Sequence, residues 1–432
     1  MATHSRNRRT HPEKANTLNI LFKLATILVI TAASACVSTS DDSGSVTKSS
    51  QPTDMTLGDS NLSGFYKFDG ELAQPGKLLR QEALEKHQSN PGAGKNIRLL
   101  YSSTDGLDGQ SRVAVSGILF LPEGKTPTGG WPLMAWTHGT VGIADICAPS
   151  WNGRQEQDRT HLQFWLENGY AVVASDYQGL GTAGTHPYLA TRPEAYSNLD
   201  IIRAVQSADF PLSNKVVLFG QSQGAGAAVA TAVYASDYAP DVDIVGVVAT
   251  GVPYFSPEAL VALQESRPPD RVDPMLGYNM LALSLVQQIN PDFKLADYVS
   301  EDVLPIAKSV QNTCHTDIKD RVIAENLTYN RVFKKSPTEH LMTAFSKMGY
   351  PSLKLPVPAF IGTGGKDKDT PPRMQAALVK EACKAGSVIV SKLYPDLDHR
   401  GVVPESTGDT LPFVQLVFAG EKVQGNCGDL PF

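Results

Sequence analysis

Short apolar runs separated by helix-length segments constrain this 432-residue chain more than any other feature. The runs Ala171–Ala174, Val216–Phe219, Ile244–Ala249, Val357–Ile361 and Val388–Leu393 are strand-length and largely apolar, as expected of strands covered on both faces. Helix-length stretches lie between several of them, at His161–Asn168, Glu194–Asp209 and Gly226–Ala235. Buried strands alternating with helices build βαβ units around a largely parallel sheet, so the expected class is α/β. Upstream, Ile97–Ser102, Val113–Leu121 and Leu133–Thr137 read as strands ended by Gly or Pro. Hydrophobic residues make up 41% of the chain, enough for a large core, and no internal repeat is visible.

The alternation breaks over about a hundred residues, 253–355. This stretch holds three helix starts with a mechanism, Ser256-Pro257, Asp273-Pro274 and Ser336-Pro337, in each of which a capping side chain precedes a proline at the first helical position. Ser336 with Glu339 also fits a capping box. The helix expected from Pro274 to Ile289 is apolar on more than one face. Such a helix either fills the insertion's own core, the reading preferred here, or forms a lid or acyl-binding wall.

Gly220-Gln221-Ser222-Gln223-Gly224 is the one GxSxG in the chain. It joins the strand Val216–Phe219 directly to a helix pattern, the context in which a sharp turn presents a nucleophilic serine. A serine hydroxyl needs a base, and the base needs an orienting acid, in the chain order serine, acid, histidine for this turn. Three histidines follow Ser222: His315, His340 and His399. The first two lie inside the insertion, whereas His399 follows the strand Val388–Leu393, which makes it the expected base. Asp367 and Asp369 both sit just past the strand Val357–Ile361, where ligand groups gather in open α/β sheets. Asp367 is preferred over Asp369 because an Asp-x-x-Thr-Pro turn follows it. The oxyanion needs two preorganised donors. One is the N–H of Gln223, after the nucleophile, and the second is assigned to the N–H of Thr140 in His138-Gly139-Thr140, after the strand Leu133–Thr137. His138 precedes the nucleophile and is expected to be structural. Activity is expected to fall on acidification, because a protonated His399 cannot accept the serine proton.

His138-Gly139-Thr140, Cys147-Ala148-Pro149-Ser150, Asp176-Tyr177-Gln178-Gly179-Leu180-Gly181 with His186-Pro187-Tyr188, the 220–224 turn, Asp367 and His399 together resemble the secretory lipase family of α/β-hydrolases, the lipase-A-like group. The resemblance runs from about Gly64 to Cys427. It implies an α/β-hydrolase fold with a helical cap between the sixth and seventh sheet strands, a triad of Ser222, Asp367 and His399, and hydrolysis of carboxylic esters, often acylglycerols, without cofactor or metal. Thr370 stands where Val is commoner in that family.

The N-terminus carries Arg6, Arg8, Arg9 and Lys14, then the apolar run Leu24–Ile30, then small residues up to Cys36. This is the layout of an export signal over residues 1–35, too short for a stable membrane span. Ala33-Ser34-Ala35-Cys36 resembles a bacterial lipobox, with Cys36 the lipidated residue; Ala33 departs from the usual Leu, so cleavage without lipidation is the alternative. Residues 36–61 read as a flexible tether, and 62–432 as the hydrolase domain with its cap. The expected location is the cell envelope, through a lipid anchor, and otherwise the medium. The remaining cysteines, Cys147, Cys314, Cys383 and Cys427, suggest two disulfides in an exported chain. Of three connectivities, Cys147–Cys314 with Cys383–Cys427 is favoured, although spacing alone does not decide, and no CxxC spacing supports a metal site.

Without residues 1–35 the balance is 33 basic against 43 acidic side chains, or −10, which disfavours nucleic acid as a partner. The expected partner is a small-molecule or lipid ester. Two other readings use the same fold: a non-catalytic surface lipoprotein that binds an apolar ligand, and a serine peptidase.

Overall fold

The computed structural model describes residues 62–256, 259–260 and 267–432. The export signal, Cys36 and the tether lie outside the described residues. Nine strands form one sheet: β1 Leu78–Ala83, β2 Ala93–Thr104, β3 Arg112–Pro122, β4 Trp131–Thr137, β5 Ala171–Ser175, β6 Leu212–Gln221, β7 Asp243–Thr250, β8 Ala359–Gly364 and β9 Ile389–Tyr394. Their spatial order is β1-β2-β3-β5-β4-β6-β7-β8-β9. The six strands from β5 to β9 in that order pair parallel, while β1, β2 and β3 add to one edge by antiparallel pairing.

Eight helices of ten or more residues among the described residues build the layers and the cap: α1 Glu156–Glu167, α2 Thr191–Gln206, α3 Gln223–Tyr238, α4 Leu276–Ile289, α5 His315–Ala324, α6 Thr338–Lys347, α7 Pro372–Lys384 and α8 Thr407–Ala419. Strand residues alternate between two cores, as a pleat with period two requires. Leu133, Ala135, Val216 and Leu218 pack with α2, α3 and α7. Met134, Trp136, Val217 and Phe219 pack with α1 and α8 on the other face. This is the α/β-hydrolase architecture, a mostly parallel sheet between two helical layers.

The helical insertion falls between β7 and β8, one strand later than the resemblance implied, because the edge strand β1 adds one to the count. β1 carries no apolar run and its outer half is exposed, so nothing in its hydropathy marks it as a strand. The insertion has its own core. Leu276, Met280, Leu281, Leu283, Leu285 and Val286 of α4 are all buried there, so this helix is core of the cap, the first of the two readings open to it. Of the expected caps, Ser256 Oγ accepts from Ala259 N–H at 3.1 Å and Asp273 Oδ1 from Met275 N–H at 3.0 Å. Ser336 does not form its capping box: α6 begins at Thr338, and Ser336 Oγ accepts the Thr338 N–H at 3.4 Å and pairs with Thr338 Oγ1.

Both expected disulfides form, Cys147–Cys314 and Cys383–Cys427, with Cα–Cα distances of 5.4 and 5.5 Å. No helix among the described residues is long and apolar enough to cross a membrane.

Candidate active site

The turn from β6 into α3 holds Ser222 at φ 58° and ψ −124°, a backbone region that costs energy for any side-chain-bearing residue. The surroundings leave the chain no alternative. A Cβ on Gly220 would lie 2.1 Å from Gly224 O, and one on Gly224 would lie 1.8 Å from Thr137 O. Strand and helix therefore meet at hydrogen-atom contact, which only glycine at both positions permits. The turn is held from outside as well, by Ser222 N–H donating to Thr250 O at 3.0 Å.

The residue after Thr250 receives the histidine. Gly251 lies under the His399 ring, so close that a Cβ there would stand 2.8 Å from Cε1 and 2.9 Å from Nδ1. One backbone turn after β7 thus fixes Ser222 from one side and seats His399 on the other. Gln221 Nε2 also donates to His399 O at 3.2 Å, tying the serine turn to the loop after β9.

Asp367, buried at the end of β8, orients that ring. Its Oδ2 lies 2.8 Å from His399 Nδ1, 2.9 Å from Thr370 Oγ1 and 3.0 Å from Gln375 Nε2. Its Oδ1 accepts the N–H groups of Asp369 and Thr370, both at 2.9 Å. A carboxylate facing Nδ1 makes that nitrogen the N–H side, leaving the lone pair on Nε2. His399 Nε2 is buried and has no partner among the described residues. The structure thus brings Asp367 and His399 together, whereas Asp369 is half-buried and supplies only its backbone N–H.

The loop after β4 closes the other side. Gly139 backs onto the serine turn, with its Cβ position 3.6 Å from Ser222 Cβ, and Thr140 is the next residue of that loop. Thr140 Oγ1 is paired with Tyr188 Oη at 2.8 Å. His138 lies beneath, stacked on Tyr177 at a centroid distance of 4.2 Å, with its ring nitrogens 2.8 Å from Gly139 O and 3.3 Å from Asp176 O. Both nitrogens are engaged with backbone, and burial holds the ring below the ordinary histidine range. Gln223, after the serine, is buried, and its Nε2 donates to Glu194 Oε1 at 2.7 Å and to His186 Nε2 at 3.0 Å. Farther along the β4 loop, Cys147 is bonded to Cys314 at the start of α5, and His315 N–H donates to Val141 O at 2.8 Å. The cap is therefore stitched to the loop that carries Thr140.

Sequence reasoning left out several of these groups. Gln375 and Glu194 read as polar positions on helices, and nothing in their spacing shows that both are buried. Thr370 stood out as a departure from the family pattern, yet its hydroxyl lies within hydrogen-bond distance of Asp367 Oδ2, Gly251 O and His399 Nδ1.

Known proteins share this arrangement of fold and sequence. The family model for secretory lipases matches residues 153–425. The chain belongs to the secretory lipase family. That family comprises carboxylic-ester hydrolases, and its model covers both α3 and the loop after β9. A lipase A from Moesziomyces aphidis is 26% identical over 285 residues, which span 61% of this chain but only 57% of that protein. Lipase 6 of Candida albicans is 27% identical over 408 residues, 84% of this chain and 82% of the relative. Among solved structures, lipase A of Candida antarctica in its closed state superposes with a TM-score of 0.68 at 21% identity, covering 85% of this chain and 88% of that one. The rice cell wall degrading esterase LipA of Xanthomonas oryzae gives a TM-score of 0.63 at 19% identity, covering 81% of this chain and all of that one. These two likenesses speak for the fold.

Proposed function

We propose that this secretory-lipase member hydrolyses carboxylic esters through an acyl-enzyme formed on Ser222. In this reading His399 Nε2 takes the Ser222 hydroxyl proton as the oxygen attacks the ester carbonyl, and Asp367 holds the ring and balances the imidazolium without accepting the proton. The N–H groups of Thr140 and Gln223 receive the oxyanion. The alcohol leaves with the proton from His399, and a water activated by the same nitrogen then releases the acid and restores Ser222. One observation carries the proposal: the His399 ring is bonded to Asp367 through Nδ1 at 2.8 Å, while its buried Nε2 has no partner among the described residues. A buried imidazole nitrogen without a partner is costly to maintain unless it has work to do.

The proposal extends to location and substrate. Residues 1–35 would be removed on export, and Cys36 would carry lipid, with residues 36–61 tethering the hydrolase domain to the cell envelope. The substrate would be a small-molecule or lipid ester. The test is hydrolysis of p-nitrophenyl esters from acetate to palmitate by residues 62–432, beside Ser222→Ala. Loss of at least about 1,000-fold in the variant is expected. Equal turnover by the two proteins would overturn the proposal. The chain-length profile then separates lipase from short-chain esterase.

A further inference from the structure

Behind the serine turn lies a buried polar cluster that the ester-hydrolase reading does not use. Glu194, in the first turn of α2, is 1% exposed. Its Oε1 accepts one hydrogen of the Gln223 amide at 2.7 Å. The other hydrogen goes to His186 Nε2 at 3.0 Å, and His186 Nδ1 in turn donates to Gln178 O at 2.9 Å. That fixes His186 as a neutral donor and acceptor, in keeping with burial pushing it down to about 3. The backbone N–H of Leu189 faces the same carboxyl from the loop before α2. Leu189 has φ 60°, a conformation a leucine adopts only when its surroundings impose it. Tyr188, one residue earlier, bonds Thr140 through its hydroxyl at 2.8 Å.

One carboxyl therefore bonds the Gln223 side chain directly and faces the Leu189–Tyr188 turn, whose tyrosine holds Thr140. We propose that Glu194 is a positioning residue that holds the two halves of the oxyanion hole in register. The inference rests on the assignment of Ser222, Gln223 and Thr140 above.

The carboxyl does this as a neutral acid. Among the described residues, the titratable groups that interact with it carry no positive charge: Tyr177 from the turn after β5, Tyr188 and His186 from the loop before α2, and Tyr350 from the cap. Burial accordingly pushes Glu194 up to about 8. Gln223 Oε1 is buried and has no partner among the described residues. It is the acceptor that a protonated Glu194 would take, closing an acid–amide pair with two hydrogen bonds. Above pH 8 that proton is lost, Gln223 Oε1 is orphaned, and an uncompensated charge stands behind the hole.

The test is triacetin hydrolysis followed by pH-stat from pH 6.5 to 9.5. For the wild type, kcat should fall to about half near pH 8 and to about one tenth by pH 9, as a single ionisation requires. Glu194→Gln reproduces the neutral acid, so it should keep kcat within about threefold at pH 7 and lose the alkaline decline. Glu194→Ala should lower kcat about tenfold at pH 7 with KM within about twofold, because ground-state binding is untouched. If the alanine variant fails to fold, the glutamine variant carries the test alone. The same alkaline decline in Glu194→Gln as in the wild type would overturn the inference, and so would wild-type kcat in a folded Glu194→Ala. Ser222→Ala, run alongside, separates the two levels: activity surviving in it removes the triad assignment, whereas an inactive Ser222→Ala with an unchanged decline in Glu194→Gln removes only the role of Glu194.

Discussion

Asp367 and Asp369 are two residues apart and chemically identical, and what separates them is the set of donors each meets. Five groups converge on the Asp367 carboxylate, among them His399 Nδ1. Asp367→Asn should cost roughly 1,000-fold to 10,000-fold in kcat by presenting the wrong partner to the ring. Asp369→Asn should stay within about threefold, and steady-state kinetics on one ester would show both. At Gly224 the constraint is steric. The 1.8 Å approach of its Cβ position to Thr137 O is a clash with backbone, so Gly224→Ala should destabilise by about 3 kcal/mol or more in denaturant unfolding. Glu194 makes stability depend on pH. Its native value, about 8, lies above the ordinary 4.5, so the unfolded chain gives up this proton first and stability is lost as pH rises towards 8. Between pH 7 and 9 the melting temperature should therefore fall in the wild type and fall less in Glu194→Gln, measured by scanning calorimetry.

Elements with hydropathic contrast were legible in the sequence; those whose identity rests on neighbours were not. Every apolar run from Val113–Leu121 to Val388–Leu393 lies within or overlaps a strand, since a strand buried between two helical layers must be apolar throughout. β1 was invisible because its residues Gln81, Glu82 and Ala83 are exposed at a sheet edge and its pairing with β2 is written in backbone. The serine turn was legible because glycine spacing is itself the steric requirement. Ser336 misled for the opposite reason: a capping box requires the chain to enter the helix at one residue, and here it enters at Thr338. The supporting shell of Thr370, Gln375 and Glu194 stayed hidden, since burial of a polar side chain depends on which helices pack over it. Two elements owe their relation to a covalent bond. Cys147–Cys314 closes a span of 167 residues between the Thr140 loop and α5. Removing it with Cys147→Ala and Cys314→Ala should cost about 2–5 kcal/mol, and limited proteolysis should then cut within the cap before the sheet domain.

At the scale of the molecule, a sheet with helices on both faces fixes the site and a cap with its own core lies in the chain between β7 and β8. The sheet delivers Ser222, Asp367 and His399 at the ends of β6, β8 and β9, the edge where parallel strands leave their C-termini and loops are free to converge. The cap is anchored beside Thr140 by a disulfide and by the His315–Val141 hydrogen bond. Membership in the secretory lipase family agrees with export, and the two disulfides suit an oxidising compartment. On the proposed reading, Ser222 is the nucleophile of a working acyl-transfer site. The most direct measurement is fluorophosphonate labelling of residues 62–432 followed by mass spectrometry of the modified peptide. A single adduct on Ser222, formed at least about 100-fold more slowly in His399→Ala, is the predicted result. No adduct, or an adduct on another serine at a rate indifferent to His399, would contradict it.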